Sequence, residues 1–272
     1  MSHEMKRTRR WPIVALLLAT AAGAWGQQHD TAGGRPGPIE LRKRLHVNPL
    51  ITPPDTAEVE WGGAFATGGS FTFPAAFRFT PEGHHVYWGR TELSVIFDSL
   101  SYDGTATHFG DRTTLGATCV LHDGDKFDFA IEPTTSLLLR GDTGIRAGAT
   151  AIARYDTGQS SAGITVGWTG ATRVSATNPA GTTDVGVGYG YQLRASGPLS
   201  HLTAHTNLLW ERSTGTDWQI SVFEGVEYQI TDLVAVDFSA QHVNVWGGQP
   251  EHDIVVGLTV NTHRINSLHQ LR

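Results

Sequence analysis

The sequence predicts an all-β fold: a single antiparallel, up-and-down transmembrane β-barrel of about 12 strands. Three observations predict it. First, apolar and polar residues alternate along segments of about 9–14 residues, whereas strands of soluble proteins usually span about 5–6. Second, aromatic residues cluster near the ends of these segments, as rings do at the two surfaces of a bilayer. Third, the even-numbered connections are short and several odd-numbered ones are long, as in barrels with tight turns at one end.

A signal peptide is predicted at the N-terminus. A basic stretch from Lys6 to Arg10 precedes the apolar segment 11–22 (WPIVALLLATAA). That segment is too short for a membrane-spanning helix, which needs about 20 residues, and small residues at Ala22, Ala24 and Gly26 suit a cleavage site. We expect residues 1–26 to direct export and then to be removed. The alternative is an uncleaved amphipathic or buried helix.

The segment 27–56 is rich in proline and carries a basic run at Arg42, Lys43 and Arg44. It lacks the alternation that follows it, and it predicts a periplasmic linker. The basic run is interpreted as a solvated face; a site for a specific partner is the alternative.

Charge and cysteine content exclude several classes of protein. The chain holds 20 Lys and Arg against 26 Asp and Glu, and removal of the basic leader makes the remainder more acidic. A nucleic-acid binder needs a basic patch, and none is visible in the sequence. The single cysteine, Cys119, provides no internal disulfide. No later stretch reaches the 18 apolar residues of a membrane-spanning helix.

The predicted barrel covers residues 57–262. In the first strand Val59, Trp61 and Phe65 share one face, and Glu58 and Glu60 share the other. In the second, 71–79, phenylalanines alternate with smaller residues and one arginine. Period-2 alternation of this kind is the pattern of a strand with two different faces. It recurs in the ten further segments 93–97, 115–121, 127–132, 145–155, 162–168, 184–194, 201–211, 218–230, 234–240 and 254–260.

The eighth predicted strand is the most regular. Val187, Tyr189 and Tyr191 are assigned to the lipid face, and Gly186 and Gly188 to the lumen together with Gly190, Gln192 and Arg194. Glycines on the lumen side leave room for long side chains from neighbouring strands or for a constriction loop. Local curvature of the strand is an equally good reading.

Two segments carry a resemblance to a known family: 185–194 (VGVGYGYQLR) and 225–238 (GVEYQITDLVAVDF). The second resembles the hairpins of transporter-like outer-membrane barrels, and in particular the family named for the meta-cleavage pathway of phenol degradation. The resemblance covers about the last two-thirds of the chain. It implies an outer-membrane channel or transporter, and it transfers no functional residue because the family has no sharp site motif.

The C-terminus departs from that pattern. Many such barrels end on an aromatic residue that the barrel-assembly machinery recognises, whereas this chain continues through 263–272 and ends in Leu271 and Arg272. Either residues 263–272 form a periplasmic tail, or the last strand lies elsewhere.

Charged residues on the predicted lumen face form the candidate site. They allow two readings, a cross-strand network of ion pairs that fills the barrel or a pore lining that sets selectivity. The pore-lining candidates are Arg90, Glu92, Arg112, Asp128, Arg146, Arg154, Asp184, Arg194, His201, His205 and Glu227.

Enzyme chemistry has little support in the sequence. A lipid hydrolase or acyltransferase needs a histidine with a serine or acidic partner, and no His-x-Ser pair shares a strand face. His201 and His205 share a face but lie about 13 Å apart along a strand, too far for one metal ion. We expect no metal and no cofactor.

The sequence therefore predicts a passive channel or transporter for small solutes, of the organic or aromatic kind by the resemblance, in the outer membrane of a Gram-negative cell. The expected partners are outer-membrane lipid, the barrel-assembly machinery and a small-molecule solute, with no nucleic acid. A structural or adhesive barrel without transport, or a lipid-modifying enzyme, is the alternative.

Overall fold

The computed structural model describes residues 51–67, 69–81, 91–102, 104–110, 112–138, 144–174, 180–193, 197–243 and 251–262, and every structural statement below concerns this part of the chain. The predicted signal peptide, most of the linker and the tail 263–272 lie outside it, so these predictions stay predictions. Within the described residues, no helix is long and apolar enough to span a membrane.

The described chain is almost entirely β-strand, with one 3₁₀ turn at Gly197–His201. The strands are β1 (Thr56–Ala66), β2 (Phe71–Thr80), β3 (Thr91–Tyr102), β4 (Thr107–His108), β5 (Arg112–Asp123), β6 (Phe127–Leu138), β7 (Gly144–Asp156), β8 (Ser160–Ala171), β9 (Gly181–Gln192), β10 (Leu202–Ser213), β11 (Gln219–Thr231), β12 (Val234–Val243) and β13 (Glu251–Asn261).

These strands form one closed antiparallel barrel. Each long strand pairs with its neighbours in the chain, and β1 closes the sheet by pairing with both β2 and β13. The two-residue strand β4 pairs only with β3 and so lies outside the ring. The predicted closed barrel of about 12 strands is confirmed. The last strand is where the sequence placed it, since Val260 is opposite Val59 of β1 and Val234 of β12.

Alternation assigns the two faces of the barrel wall. Lipid-side residues such as Trp61 (58% exposed) and Tyr189 (46% exposed) point outward, whereas Glu60 (5%) and Glu92 (1%) point into the barrel. A soluble sandwich would bury its apolar face; here the apolar face is the exposed one. Because the polar face is buried and the apolar face is exposed, the outer surface of the barrel is the one that contacts lipid hydrocarbon.

Aromatic side chains border the outer surface at both ends. Phe127, Tyr155 and Tyr191 lie at the end where the chain enters β1, and Trp168 and Trp210 lie at the opposite end. At that opposite end, Phe71 packs against Phe65 and Tyr102 with ring centroids 6.4 and 5.5 Å apart. Two aromatic rims of this kind mark the lipid–water interfaces of a transmembrane barrel.

The connections differ in part from the prediction. The tight turns 124–126, 157–159 and 232–233 at the N-terminal end are as expected. However, the connection from β9 to β10 contains the 3₁₀ turn Gly197–His201, so it is longer than the sequence predicted. Residues 82–90, between β2 and β3, lie outside the described part of the chain. At the opposite end β3 extends to Tyr102, so the loop after it begins later than expected.

Proline 74 lies inside β2 without breaking the sheet. The register between β2 and β3 shifts between Phe73 and Pro74, which is a β-bulge. Proline has no N–H to donate to a ladder, so a bulge is one of the few places within a sheet that accept it.

Candidate functional site

The candidate site is the inward face of the barrel wall. Its described side chains are mainly charged, hydroxyl-bearing or glycine. Carboxylates clearly outnumber guanidinium groups on it. The inward-facing carboxylates are Glu58, Glu60, Glu92, Asp128, Glu132, Asp156, Asp184, Glu211, Glu227, Asp237 and Asp253, and the inward-facing arginines are Arg78, Arg112, Arg146 and Arg154.

Arg78 of β2 is the centre of one ionic cluster. Its Nη1 lies 2.6 Å from Glu60 Oε2 and 3.3 Å from Glu58 Oε1, and its Nε lies 3.9 Å from Glu92 Oε1. Glu58 and Glu60 are two residues apart on β1 and so share its inward face, while Glu92 comes from β3. One guanidinium group thus ties three adjacent strands together near the N-terminal end of the barrel.

The chain preceding β1 joins this cluster. The backbone N–H of Thr52 donates to Glu92 Oε2 at 2.6 Å, and its hydroxyl lies 2.8 Å from the Thr80 hydroxyl. Asp55 donates its backbone N–H to the Thr80 carbonyl at 2.8 Å. Because Glu92 and Thr80 belong to the inward face, Thr52 lies in the mouth of the barrel. The end of the predicted linker is therefore an anchored part of the barrel, and its last residue, Thr56, already belongs to β1.

A second cluster lies on β6 and β7. Arg154 Nη2 donates to Asp128 Oδ2 at 2.8 Å and is 3.9 Å from Asp156 Oδ2. Asp128 and Arg154 are directly opposite each other in the β6–β7 register, where oppositely charged cross-strand pairs stabilise a sheet.

Arg146, near the opposite end of β7, has a different environment. Its Nη2 donates to the hydroxyls of Thr169 (3.0 Å) and Thr182 (2.9 Å). Arg112 and Glu211 are close enough to act on it electrostatically. Arg146 is therefore held by hydrogen bonds to uncharged hydroxyls of β8 and β9 and by electrostatic attraction to Glu211.

The strands β9 to β13 present an acidic wall. Their inward-facing ionisable residues are Asp184, His205, Glu211, Glu227, Asp237 and Asp253, with no lysine or arginine among the described ones. Glu227 and Asp237 are directly opposite each other in register. Like charges placed opposite each other repel, and the described ionisable residues of this wall carry a net negative charge.

Glycines on the inward face make room for polar side chains of their neighbours. His205 Nε2 lies 3.1 Å from Ser239 Oγ, which joins β10 to β12 across Gly225 of β11. A Cβ at Gly225 would collide with both groups, and a Cβ at Gly167 would collide with the Asp184 carboxylate. Gly225 and Gly167 thus leave room for neighbouring polar side chains, whereas the same reading of Gly186, Gly188 and Gly190 stays a prediction beside that of strand curvature. Gly186, Gly188 and Gly190 also face inward and are buried.

The structure places most of the predicted pore-lining residues on the inward face. Arg90 and Arg194 lie outside the described residues. His201 is the exception: it ends the 3₁₀ turn before β10, is exposed, and has its ring 6.3 Å from that of the outward-facing Tyr228. The sequence extended the alternation of β10 by one residue too many, and His201 does not share the inward face with His205.

Sequence reasoning missed several inward residues. Asp253 is the inward residue that directly precedes the predicted last segment, and Asp156 follows the predicted end of the sixth. Each could have been found by extending the alternation one further step. Thr52 gave no such signal, because its place depends on tertiary contacts with β2 and β3.

Among the described residues, no three His, Cys, Asp or Glu side chains are arranged so that they could hold a metal ion. The arrangement of the described residues offers a polar, mainly acidic interior in which ion pairs cross-link neighbouring strands. A closed barrel with such an interior, an apolar exterior and two aromatic rims is a transmembrane β-barrel.

Comparison with solved structures gives the same class. The fold is similar to that of the KdgM porin, with a TM-score of 0.54, 12% sequence identity, and coverage of 76% of this chain and 99% of that chain. It is also similar to the NanC porin, with a TM-score of 0.56, 11% identity, and coverage of 74% and 98%. At these identities the likeness establishes the fold alone. No protein-family model matches the chain, and no curated protein matches it significantly.

Proposed function

We propose that this protein is a passive channel for small solutes in the outer membrane. The observation that carries the proposal is the composition of the barrel interior, where charged or hydroxyl side chains occur on every strand that closes the ring. A barrel that served only as an anchor could fill its interior with apolar side chains. Rings and walls of charged side chains instead provide the selectivity of a pore.

The size of the barrel limits what passes. Barrels of about 8 strands are filled by their side chains and those of 16–18 strands enclose a wide aqueous channel, so 12 strands give an intermediate lumen. Here inward side chains such as Arg78, Glu92 and Asn207 are at most 3% exposed. The lumen is therefore narrow, and we expect a low conductance.

The charge of the barrel interior indicates which class of solute the channel favours. The KdgM porin has been solved in complex with oligogalacturonate, a chain of carboxylate sugars. The acidic wall of β9–β13 repels a polyanion of that kind, which favours small cationic or neutral solutes for this protein. The resemblance to the phenol meta-cleavage family supports the organic solutes among these.

The proposal includes the cellular setting. The apolar outer surface supports residence in the outer membrane with lipid as its surroundings, and the antiparallel barrel supports insertion by the barrel-assembly machinery. A non-enzymatic role is supported by the porin fold. A structural or adhesive barrel is the second candidate, since ion pairs such as Arg154–Asp128 also strengthen the wall.

Planar-bilayer recording of the purified, refolded protein tests the proposal. We expect small, discrete single-channel steps, and swelling of protein-containing liposomes in small neutral or cationic solutes. Protein that is refolded but shows neither steps nor swelling would contradict the channel and favour the structural barrel. Lipid hydrolysis or acyl transfer by the same preparation would instead favour an enzyme.

A further inference from the structure

The carboxylate of Glu224 lies on the outward, lipid-facing side of the barrel wall. The outward-facing row of β11 contains apolar residues on both sides of Glu224, with Val222 above it and Val226 below it. Glu224 is directly opposite Thr206 of β10 and Ala240 of β12. Thr206 and Glu224 are both exposed on the outer surface, whereas Gly225 and Phe223 belong to the inward face.

The position of Glu224 along the strand places it within the apolar band. It lies four residues from Tyr228 and six from Trp218, or about 13 and 20 Å along the strand at ~3.3 Å per residue. Trp218 directly precedes β11 and Tyr228 lies toward its other end, and a strand tilted by about 45° crosses the membrane between such rims. The carboxyl group is therefore surrounded by hydrocarbon unless another protein covers it.

An ionisable side chain in hydrocarbon is costly and generally marks a functional contact. Within the described chain Glu224 makes no hydrogen bond and no ion pair, and neither does the Thr206 hydroxyl. The outward side chains beside Glu224 are Ala240, Val222 and Val226, and those beside Thr206 are Ala204, Leu208 and Tyr189. The small side chains of Ala204 and Ala240 leave the polar pair accessible from one direction, so that it can bond across an interface with another membrane protein.

We propose that this patch, made of Ala204, Thr206, Glu224 and Ala240, is the interface of a homodimer. The occupant is a second copy of this chain because the patch is self-complementary: it carries one hydroxyl donor and one carboxyl acceptor side by side. A two-fold axis along the membrane normal between β10 and β11 brings each Thr206 opposite the Glu224 of the other copy. Two equivalent Thr206–Glu224 hydrogen bonds then form, as a two-fold interface requires.

Subunit counting in lipid bilayers tests the dimer with the full-length protein. We expect wild type to dimerise, Glu224→Gln to retain the dimer because a carboxamide still accepts the hydroxyl proton, and Glu224→Leu to dimerise about tenfold more weakly. Glu224→Leu places an apolar group in hydrocarbon, so the barrel itself folds at least as well as wild type. A monomeric wild-type protein, or a Glu224→Leu variant that dimerises like wild type, would overturn the proposal.

Cross-linking locates the interface independently. In a Cys119→Ala background, Ala204→Cys should be joined to its counterpart by a short bis-maleimide in membranes. The matched control is Ala149→Cys, which is also outward-facing but lies on β7, away from the patch. Equal cross-linking at both positions would indicate random collision in the membrane and overturn the assignment, whereas a third protein trapped at Ala204→Cys in place of the second copy would assign the patch to a different partner.

Discussion

At the scale of single residues, the barrel interior depends on charges that stabilise one another. Arg78 is 3% exposed and faces the carboxylates of Glu58, Glu60 and Glu92. Burying several charges is costly, and it is tolerated only when each is paired and hydrogen-bonded. Removing the Arg78 guanidinium takes away the positive charge that the three carboxylates share, so their mutual repulsion increases.

Arg78→Ala should therefore lower the free energy of unfolding by about 3–5 kcal/mol, the range for breaking a buried ion pair. Urea unfolding in lipid vesicles, followed by tryptophan fluorescence, measures the change. The control is Arg212→Ala, because Arg212 is exposed and surface substitutions usually stay within about 0.5 kcal/mol. Equal losses for both variants would show that the Arg78 cluster contributes no special stability.

Glycine 225 is the second residue on which the interior depends. His205 and Ser239 meet across it, and a Cβ there would collide with both. Gly225→Ala should cost about 1–3 kcal/mol, as overpacking does. Adding His205→Ala and Ser239→Ala should recover part of the loss, because two of the three colliding atoms are then absent and only the Phe238 carbonyl oxygen, 2.7 Å from the new Cβ, remains. If the triple variant is no more stable than Gly225→Ala alone in the same urea assay, the steric explanation is wrong.

At the scale of elements, each strand has two faces that meet different solvents. In β9 the exposed Val187 and Tyr189 alternate with the buried Gly186, Gly188 and Gly190. The sequence predicted this alternation because a barrel strand needs only a two-residue period, which is a local property. The same locality explains why all twelve strands of the ring were predictable.

The features that the sequence did not predict depend on contacts between distant residues or on strand ends. Thr52 is held by Glu92, which is 40 residues away, and β4 exists only by pairing with β3. His201 was misplaced because a 3₁₀ turn replaces the strand just where the pattern still looked regular.

Cysteine labelling checks the two faces of β9. With Cys119 replaced by Ala, Val187→Cys and Tyr189→Cys should react in membranes with a lipid-soluble maleimide and resist a charged, water-soluble one. Gly188→Cys, between them on the inward face, is the control and should resist the lipid-soluble probe. Resistance of positions 187 and 189 to both probes would place them in a protein core and contradict the membrane barrel.

A charge scan of the same strand measures the energy of the two environments. Tyr189→Arg should cost about 2–4 kcal/mol of folding free energy, because a charge on the lipid face near the midplane is that unfavourable. Gln192 is the last residue of β9, faces the lumen and is exposed to water, so Gln192→Arg should cost little folding free energy. Refolding yield and urea titration in vesicles compare the two, and a larger loss for Gln192→Arg would reverse the assignment of faces.

At the scale of the whole molecule, charge is distributed unevenly around the barrel. The arginines of the described interior lie on β2, β5 and β7, and two of them, Arg78 and Arg154, are in direct contact with carboxylates. In the ring, β5–β7 are opposite β11–β13, whose inward charges are acidic. An ion in the lumen therefore meets carboxylates on one side and, on the other, Arg112, Arg146 and Arg154, of which Arg154 is paired with Asp128. Such fields concentrate ions of the opposite sign.

This distribution predicts that the channel prefers cations. Under a KCl gradient, the current should reverse at a potential of the sign expected for K⁺. The double substitution Glu227→Gln and Asp237→Asn removes the two carboxylates that face each other on β11 and β12, so it should move the reversal potential toward zero. Asp232→Asn, in the exposed turn 232–233, removes a carboxylate outside the lumen and should leave it unchanged. The measurements belong at low ionic strength, because at 0.1 M salt the field of exposed charges is screened beyond about 10 Å. A wild-type channel that prefers Cl⁻ would show that positive charges dominate the conducting path, and that the acidic wall does not set its selectivity.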